Sequence, residues 1–216
     1  MHMAIINGVQ LDHFPLLGEA DREYSLLDLS MSSNLFTNHN TWRDVLLKMI
    51  GADKSIPYGG YLENRFFYSN QELFGKGETR RDIHLGVDLW LEADSKIYCP
   101  LDAIIHSMAY NKNDLDYGYT IILKHEIKDL SFYTLYGHLS DSHILSLKVN
   151  EPLLKGTNFC QVGNQFQNGN WPPHLHFQII MDIENYKGDY PGVCSKKELE
   201  FYSINCPDGS SFIFES

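Results

Sequence analysis

The segment Trp171-Pro-Pro-His-Leu-His-Phe-Gln-Ile-Ile180 carries the strongest indication of fold and chemistry in this 216-residue chain. The proline pair favours an extended backbone, and apolar and polar side chains then alternate along the segment. In a strand, this alternation turns the apolar side chains to one face and His174, His176 and Gln178 to the other. The segment therefore predicts a strand that presents two histidines to one site.

A second segment, residues 83–90, shows the same alternation. Its apolar side chains would face the core, whereas His84, Gly86 and Asp88 would share the opposite face, with the glycine leaving a gap between two donors. Nitrogen and carboxylate donors in a compact set are those that zinc prefers. The two segments together predict a zinc site.

A third segment, residues 131–140, is rich in aromatic and β-branched residues and reaches the pair Gly137-His138 near its end. This composition predicts a strand whose last residues lie beside the site. A single histidine in such a position is more often structural than catalytic. His138 becomes a candidate site residue because it occurs together with the two segments that predict the zinc site.

In identity and order, the three segments resemble the signature blocks of the lysostaphin/LytM-type zinc endopeptidases, over about residues 80–180. The family cleaves peptide bonds, commonly in bacterial cell walls. The resemblance implies that His84, Asp88 and His176 bind Zn²⁺, and that His138 and His174 are catalytic residues without a bond to the metal. The alternation alone left open which histidine of the pair 174 and 176 is the ligand.

The implied chemistry is hydrolysis of an amide bond. Three protein ligands leave a fourth tetrahedral position for water, and zinc lowers the pKa of that water to about 7. By resemblance, His174 would act as the general base, while His138 would stabilise the oxyanion or protonate the leaving amine. Asp88, the one anionic ligand, would leave the site with a net positive charge.

The resemblance also implies the fold, a mostly antiparallel barrel-like sandwich with the metal in an open groove. We therefore expect a mainly β protein with added N-terminal and C-terminal helices. The patterns predict one helix over residues 41–50 and another from the capping box Ser195–Glu198 to about Tyr202. The predicted regions are an N-terminal helical and loop region (1–79), a zinc peptidase-like β core (80–182) and a C-terminal tail with a short helix (183–216).

Composition excludes several classes of function. The net charge is −11 with no basic block, which argues against nucleic-acid binding. No apolar run is long enough to span a bilayer, and no secretory signal is visible, so we expect a cytoplasmic protein, with an exported form left open. The four cysteines show no Cys-x-x-Cys spacing and are expected to be reduced and buried. The oligomeric state is left open.

The substrate is less constrained than the metal chemistry. Cell-wall hydrolases of this family usually show Gly-Pro where Pro172-Pro173 stands here, and the indole of Trp171 would narrow or line a subsite. Residues 61–180 also look similar to the peptidase-like domain joined to class III aminotransferases in some bacterial proteins. We therefore expect a peptide or small amide substrate.

Two alternative functions remain open at this point, and one segment has two possible interpretations. The chain could be a metal-retaining binding or regulatory module without catalysis, or, with less support, a histidine phosphocarrier. The segment 58–65 before the first motif either walls the cleft or exposes Glu63 and Arg65 as a solvated pair.

Overall fold

The computed structural model describes residues 2–19, 21–30, 42–52, 54–65, 68 and 74–214, in which strands predominate. The helices are α1 (Trp42–Met49), α2 (Asp141–Ile144) and α3 (Leu199–Asn205), with 3-10 turns at Gly77–Thr79 and Ser210–Phe212. The strands are β1 (His2–Ile6), β2 (Val9–His13), β3 (Glu23–Leu26), β4 (Ser55–Gly59), β5 (Arg81–His84), β6 (Val87–Trp90), β7 (Lys96–Tyr98), β8 (Ala103–Asn111), β9 (Gly118–Ile127), β10 (Leu130–Leu139), β11 (Pro152–Leu153), β12 (Asn158–Gln161), β13 (His174–Ile180) and β14 (Val193–Ser195).

The main sheet has eight strands in the order β11-β8-β9-β10-β13-β6-β4-β3. All its neighbours are antiparallel except β3 and β4. Two-stranded sheets pair β1 with β2, β7 with β12 and β5 with β14. The mainly β fold with added helices is confirmed. Within the described residues the main sheet ends at β11 and β3 and does not close into a barrel.

Strand β13 lies inside the main sheet, between β10 and β6. Its register places His176 opposite Asp88 on one side and opposite Gly137 on the other. The apolar face of β13 belongs to the largest core cluster, and the polar face is buried as well. The alternation predicted from the sequence is therefore correct, and the polar face lines an internal site.

The expectation of one continuous strand over residues 83–90 is wrong. The chain changes partners at its centre, because β5 pairs with β14 whereas β6 pairs with β13 and β4. The break lies at Gly86, where an added Cβ would lie 2.6 Å from the carbonyl oxygen of Phe177 and 2.7 Å from Cε1 of His176. The glycine thus leaves the gap that the sequence indicated, and the ring of His176 uses that space.

Helix α1 lies within the predicted range 41–50, although Thr41 itself falls outside the described residues. Leu46 is buried, and Trp42 and Met49 pack against the apolar cluster that contains Trp171. Trp42, Leu46 and Met49 recur at intervals of four and three residues, so they form one packed face of the helix.

Helix α3 (Leu199–Asn205) begins three residues later than a cap at Ser195 would set it. Ser195 is the last residue of β14, where it pairs with Arg81, so its backbone is extended. Half of the capping box is present, because the backbone N–H of Ser195 donates to Oε2 of Glu198 at 3.1 Å. The hydroxyl of Ser195 donates to the same oxygen at 2.7 Å, whereas the N–H of Glu198 donates to the carbonyl oxygen of Ser195. A turn follows, and the helix starts at Leu199.

The four cysteines are buried free thiols, as expected. No helix in the described part of the chain is long and apolar enough to cross a membrane. Residues before 80 contribute strands β1–β4 as well as helix α1, and β3 and β4 extend the main sheet. The division into three regions stays a prediction.

Candidate active site

Three buried donor atoms from three strands form a small triangle. His84 ends β5, Asp88 lies in β6 and His176 lies in β13. Nε2 of His84 lies 3.0 Å from Nδ1 of His176, which lies 2.9 Å from Oδ1 of Asp88, and the third side measures 3.3 Å. Ligand atoms about 2.0–2.1 Å from a tetrahedral zinc lie about 3.3 Å from one another. The donors and their spacing fit Zn²⁺.

Each donor residue is also held by a partner on its other side. Nδ1 of His84 donates to the carbonyl oxygen of Gly60 at 3.1 Å, and Nε2 of His176 donates to Oε1 of Gln178 at 2.9 Å. Oδ2 of Asp88 accepts a hydrogen bond from Arg65. Such partners fix the tautomer and orientation of metal ligands. They leave Nε2 of His84, Nδ1 of His176 and Oδ1 of Asp88 for the triangle.

The electrostatics keep these groups in metal-binding form. Burial opposes the ionisation of Asp88, but the charges of Arg65 and His84 hold the pKa of its carboxyl well below the usual range. Burial, followed by the charge of Arg65, lowers the pKa of His84 to about 4. Metal ligands must be deprotonated. At neutral pH, Asp88 is therefore a carboxylate and His84 a neutral ring.

The other two predicted histidines lie beside the triangle, with 4.0 Å between their ring centroids. Nδ1 of His138 donates to the carbonyl oxygen of Asn168 at 2.9 Å, and Nδ1 of His174 donates to that of Pro172 at 2.8 Å. Both residues line the same cavity as the triangle. In each ring, Nε2 is therefore the nitrogen that remains for chemistry in the cavity.

Burial makes both of these rings neutral at pH 7. It lowers the pKa of His174 to about 4 and, together with the charge of His174, lowers the pKa of His138 well below the usual range. His138 also has a left-handed backbone, with φ of 62°. It lies where the pairing of β10 with β9 shifts register, and its side chain is directed away from a regular strand position.

The sequence model of peptidase family M23 matches residues 82–187. The segment 82–187 of this chain belongs to peptidase family M23. A comparison with curated proteins gave no match.

Several solved structures are similar to this M23 family member. A zinc-containing peptidase from Vibrio cholerae is 18% identical, with a TM-score of 0.39, over 52% of this chain and 30% of that one. A putative peptidase M23 from Pseudomonas aeruginosa is 18% identical, with a TM-score of 0.41, over 62% of this chain and 44% of that one. The catalytic domain of lysostaphin from Staphylococcus simulans is 19% identical, with a TM-score of 0.39, over 56% of this chain and 80% of that one. The chain thus spans less than half the length of the first two.

All five predicted site residues of this M23 member line one cavity of about 240 Å³. One wall of the cavity is apolar, and its residues all belong to one hydrophobic cluster: Tyr68, Phe74, Leu115, Trp171 and Val193. Another part of the lining is polar and consists of Arg81, Asp116, Tyr186, Asp189 and Tyr190.

Trp171 lies next to both catalytic candidates. Its ring centroid is 6.0 Å from that of His138 and 5.9 Å from that of His174. On its other side it contacts Trp42 of α1 at 5.1 Å. The indole therefore lines the cavity, as the sequence suggested, and α1 supports it from behind.

The segment 58–65 matches neither alternative drawn from the sequence. Glu63 and Arg65 form a buried ion pair rather than a solvated one, with side chains 11% and 1% exposed. Neither residue lines the cavity, since Arg65 contacts Asp88 on the side away from the triangle. The segment therefore contacts Asp88, one of the three residues of the donor triangle, from behind.

Sequence reasoning missed two further residues of the site. Gln178 orients His176, and its place on the polar face of β13 was a signal that could have found it. The second residue is Tyr117, whose hydroxyl lies 3.4 Å from Nε2 of His176. No pattern along the chain connects that tyrosine to the motif.

Proposed function

We propose that the chain is a zinc-dependent endopeptidase in which His84, Asp88 and His176 bind the metal. The observation that carries the proposal is the triangle of three donor atoms at zinc-like spacing in one cavity with two further histidines. Zinc, when bound, supplies a Lewis acid that polarises a carbonyl group and activates water. The remaining chemistry belongs to His138 and His174.

His174 is the general base of the proposed reaction. Its Nδ1 hydrogen is engaged by the carbonyl of Pro172, so the neutral ring offers the lone pair of Nε2 to a water proton. The ring stacks on Trp90, with centroids 4.3 Å apart and planes at 28°, which fixes its orientation. The stack therefore keeps the basic nitrogen directed at the cavity.

His138 is the proposed proton donor. The Nδ1–H of His138 donates to the carbonyl oxygen of Asn168, so Nε2 of the neutral ring carries no hydrogen. Nε2 can therefore donate only after it has received a proton. In the proposed reaction this proton comes from His174, whose ring centroid lies 4.0 Å away. Because burial and mutual repulsion disfavour two charged rings, the pair holds one proton at a time and passes it to the leaving amine.

The proposed substrate is a short peptide or small amide. The apolar wall around Trp171 narrows the cavity beside the two catalytic histidines, and this favours a slender chain over a cross-linked polymer. We therefore expect cleavage of small peptides, glycine-containing ones included, and poor clearing of intact peptidoglycan.

The test uses zinc-loaded protein and a set of fluorogenic short peptides, before and after treatment with a chelator and after re-addition of Zn²⁺. Cleavage should follow the zinc content, and His138→Ala should retain zinc while losing most turnover. Fully zinc-loaded protein that cleaves no peptide or amide would favour the metal-retaining binding module. Rapid, His138-dependent clearing of a wall suspension would show that Trp171 does not restrict the substrate.

A further inference from the structure

Arg65 is a buried arginine directly behind the candidate metal site. Its side chain is 1% exposed and lies between two carboxylates. Nε donates to Oε2 of Glu63 at 3.0 Å, and Nη1 donates to Oδ2 of Asp88 and to the hydroxyl of Tyr68. A buried guanidinium is retained only where it is paired, and this one is paired with a metal-binding residue.

The backbone around Arg65 fixes the guanidinium in this place. The N–H of Arg65 donates to the carbonyl oxygen of Asp82 at 2.8 Å, and Oε1 of Glu63 accepts from the N–H of Leu29 at 2.8 Å. Gly59 of β4 lies opposite Asp88 of β6, and an added Cβ at Gly59 would lie 2.5 Å from Nη2 of Arg65. The guanidinium therefore lies against a glycine that leaves room for it.

The contact with Arg65 occupies one carboxylate oxygen of Asp88 and leaves the other oxygen for the triangle. Oδ1 lies 2.9 Å from Nδ1 of His176 and 3.3 Å from Nε2 of His84, whereas Oδ2 is occupied by Arg65. We infer that Arg65 is a positioning residue of the metal centre, which holds Asp88 so that a single oxygen faces the ion. The inference rests on the zinc site of the proposed function and names a residue that controls it.

The charges support this role. Glu63 and Asp88 bring two negative charges and Arg65 one positive charge, so the array stays attractive to a cation. Without Arg65, the carboxylate of Asp88 would be free to turn and to present both oxygens. Residues 59–65 lie before the segment 82–187 that matches the family, so the orientation of Asp88 depends on the N-terminal part of this chain.

The test compares Arg65→Gln, Arg65→Lys and a matched control, Arg80→Gln. Arg80 forms a similar pair with Asp82, Nε to Oδ2 at 2.7 Å, but it is partly exposed and does not touch the triangle. Zinc affinity is measured by competition with a chromophoric chelator, and the geometry of the site by the visible absorption of Co²⁺ in place of zinc. Circular dichroism confirms the fold of each variant.

Loss of a partner behind a metal ligand typically weakens metal binding about 10–100-fold. We expect that loss in Arg65→Gln, a smaller one in Arg65→Lys and none in Arg80→Gln. We also expect weaker Co²⁺ absorption in Arg65→Gln, because a second oxygen raises the coordination number. A merely structural arginine would lower stability without changing the Co²⁺ spectrum.

An unchanged zinc affinity and Co²⁺ spectrum in folded Arg65→Gln would overturn the inference about Arg65. The proposed function would still stand in that case, provided that the wild type binds zinc and cleaves peptides. If Arg65→Gln does not fold, the decision passes to Arg65→Lys: wild-type affinity and spectrum overturn the inference, and changes in both support it. A wild-type protein that binds no zinc removes the proposed function and this inference together.

Discussion

His176 and His174 differ by two positions in one strand, and the structure assigns them opposite responses to substitution. Nδ1 of His176 contributes two sides of the donor triangle, at 2.9 and 3.0 Å, so His176→Ala leaves only His84 and Asp88. Catalytic zinc sites use three protein ligands. The variant should therefore purify without zinc and without activity.

His174→Ala leaves the triangle intact. Its two nearest ring neighbours are His138 and Trp90, at centroid distances of 4.0 and 4.3 Å, and none of its atoms completes the triangle. The variant should keep its zinc and lose about 10²–10⁴-fold in kcat/KM, the contribution of a general base. This loss corresponds to about 3–5 kcal/mol in the activation barrier.

The assay combines elemental analysis of chelator-free preparations with steady-state cleavage of a fluorogenic peptide. His106→Ala serves as the control, since His106 belongs to β8 and does not line the cavity. Zinc retained by His176→Ala and lost from His174→Ala would reverse the two assignments. Full zinc together with full activity in His174→Ala would remove the general-base role.

Three further predictions concern the metal, the glycine between the strands and a histidine outside the cavity. The wild type should hold one zinc per chain by elemental analysis, because the described residues contain a single group of suitable donors; a metal-free yet fully active preparation contradicts this. Gly86→Ala should destabilise the metal-free protein by about 1–3 kcal/mol in urea unfolding and weaken zinc binding, since its Cβ would lie 2.6 Å from the backbone oxygen of Phe177. An unchanged free energy of unfolding and an unchanged zinc affinity would show that the backbone moves to accommodate the Cβ. Burial lowers the pKa of His125 to about 4, so between pH 6.5 and 4 the unfolded chain binds a proton at this residue that the folded chain does not. The contribution of His125 to the free energy of unfolding should therefore fall by about 3 kcal/mol as the pH drops through that window. In His125→Gln this part of the pH dependence should disappear, and an identical urea-midpoint profile for both proteins would contradict the assignment.

The strands of the site could be predicted because each is short, buried and alternating. In β13 the period of two placed His174, His176 and Gln178 on one face, and the structure keeps them there. The break at Gly86 could not be predicted in this way, because it depends on which strands pair with β5 and β6. Pairing is a property of the whole sheet and leaves no local pattern.

Contacts made through the backbone were equally hidden from the sequence. The carbonyl oxygens of Asn168 and Pro172 orient the two catalytic candidates, yet any residue type could supply them. Arg65 reaches Asp88 only because β4 lies beside β6 with Gly59 opposite that aspartate. Helix α3 shows the same limit. The sequence predicted a helix start at Ser195, but Ser195 of β14 pairs with Arg81 and the helix starts at Leu199.

The left-handed backbone of His138 has an evolutionary consequence. A residue with a Cβ loses about 1–2 kcal/mol in this conformation, whereas glycine adopts it without strain. The contacts of the buried ring with His174 and Trp171 and its hydrogen bond to Asn168 offset this strain. In a lineage released from any demand for cleavage, glycine should therefore replace this histidine more readily than alanine, since alanine would keep the backbone strain and also lose the ring contacts.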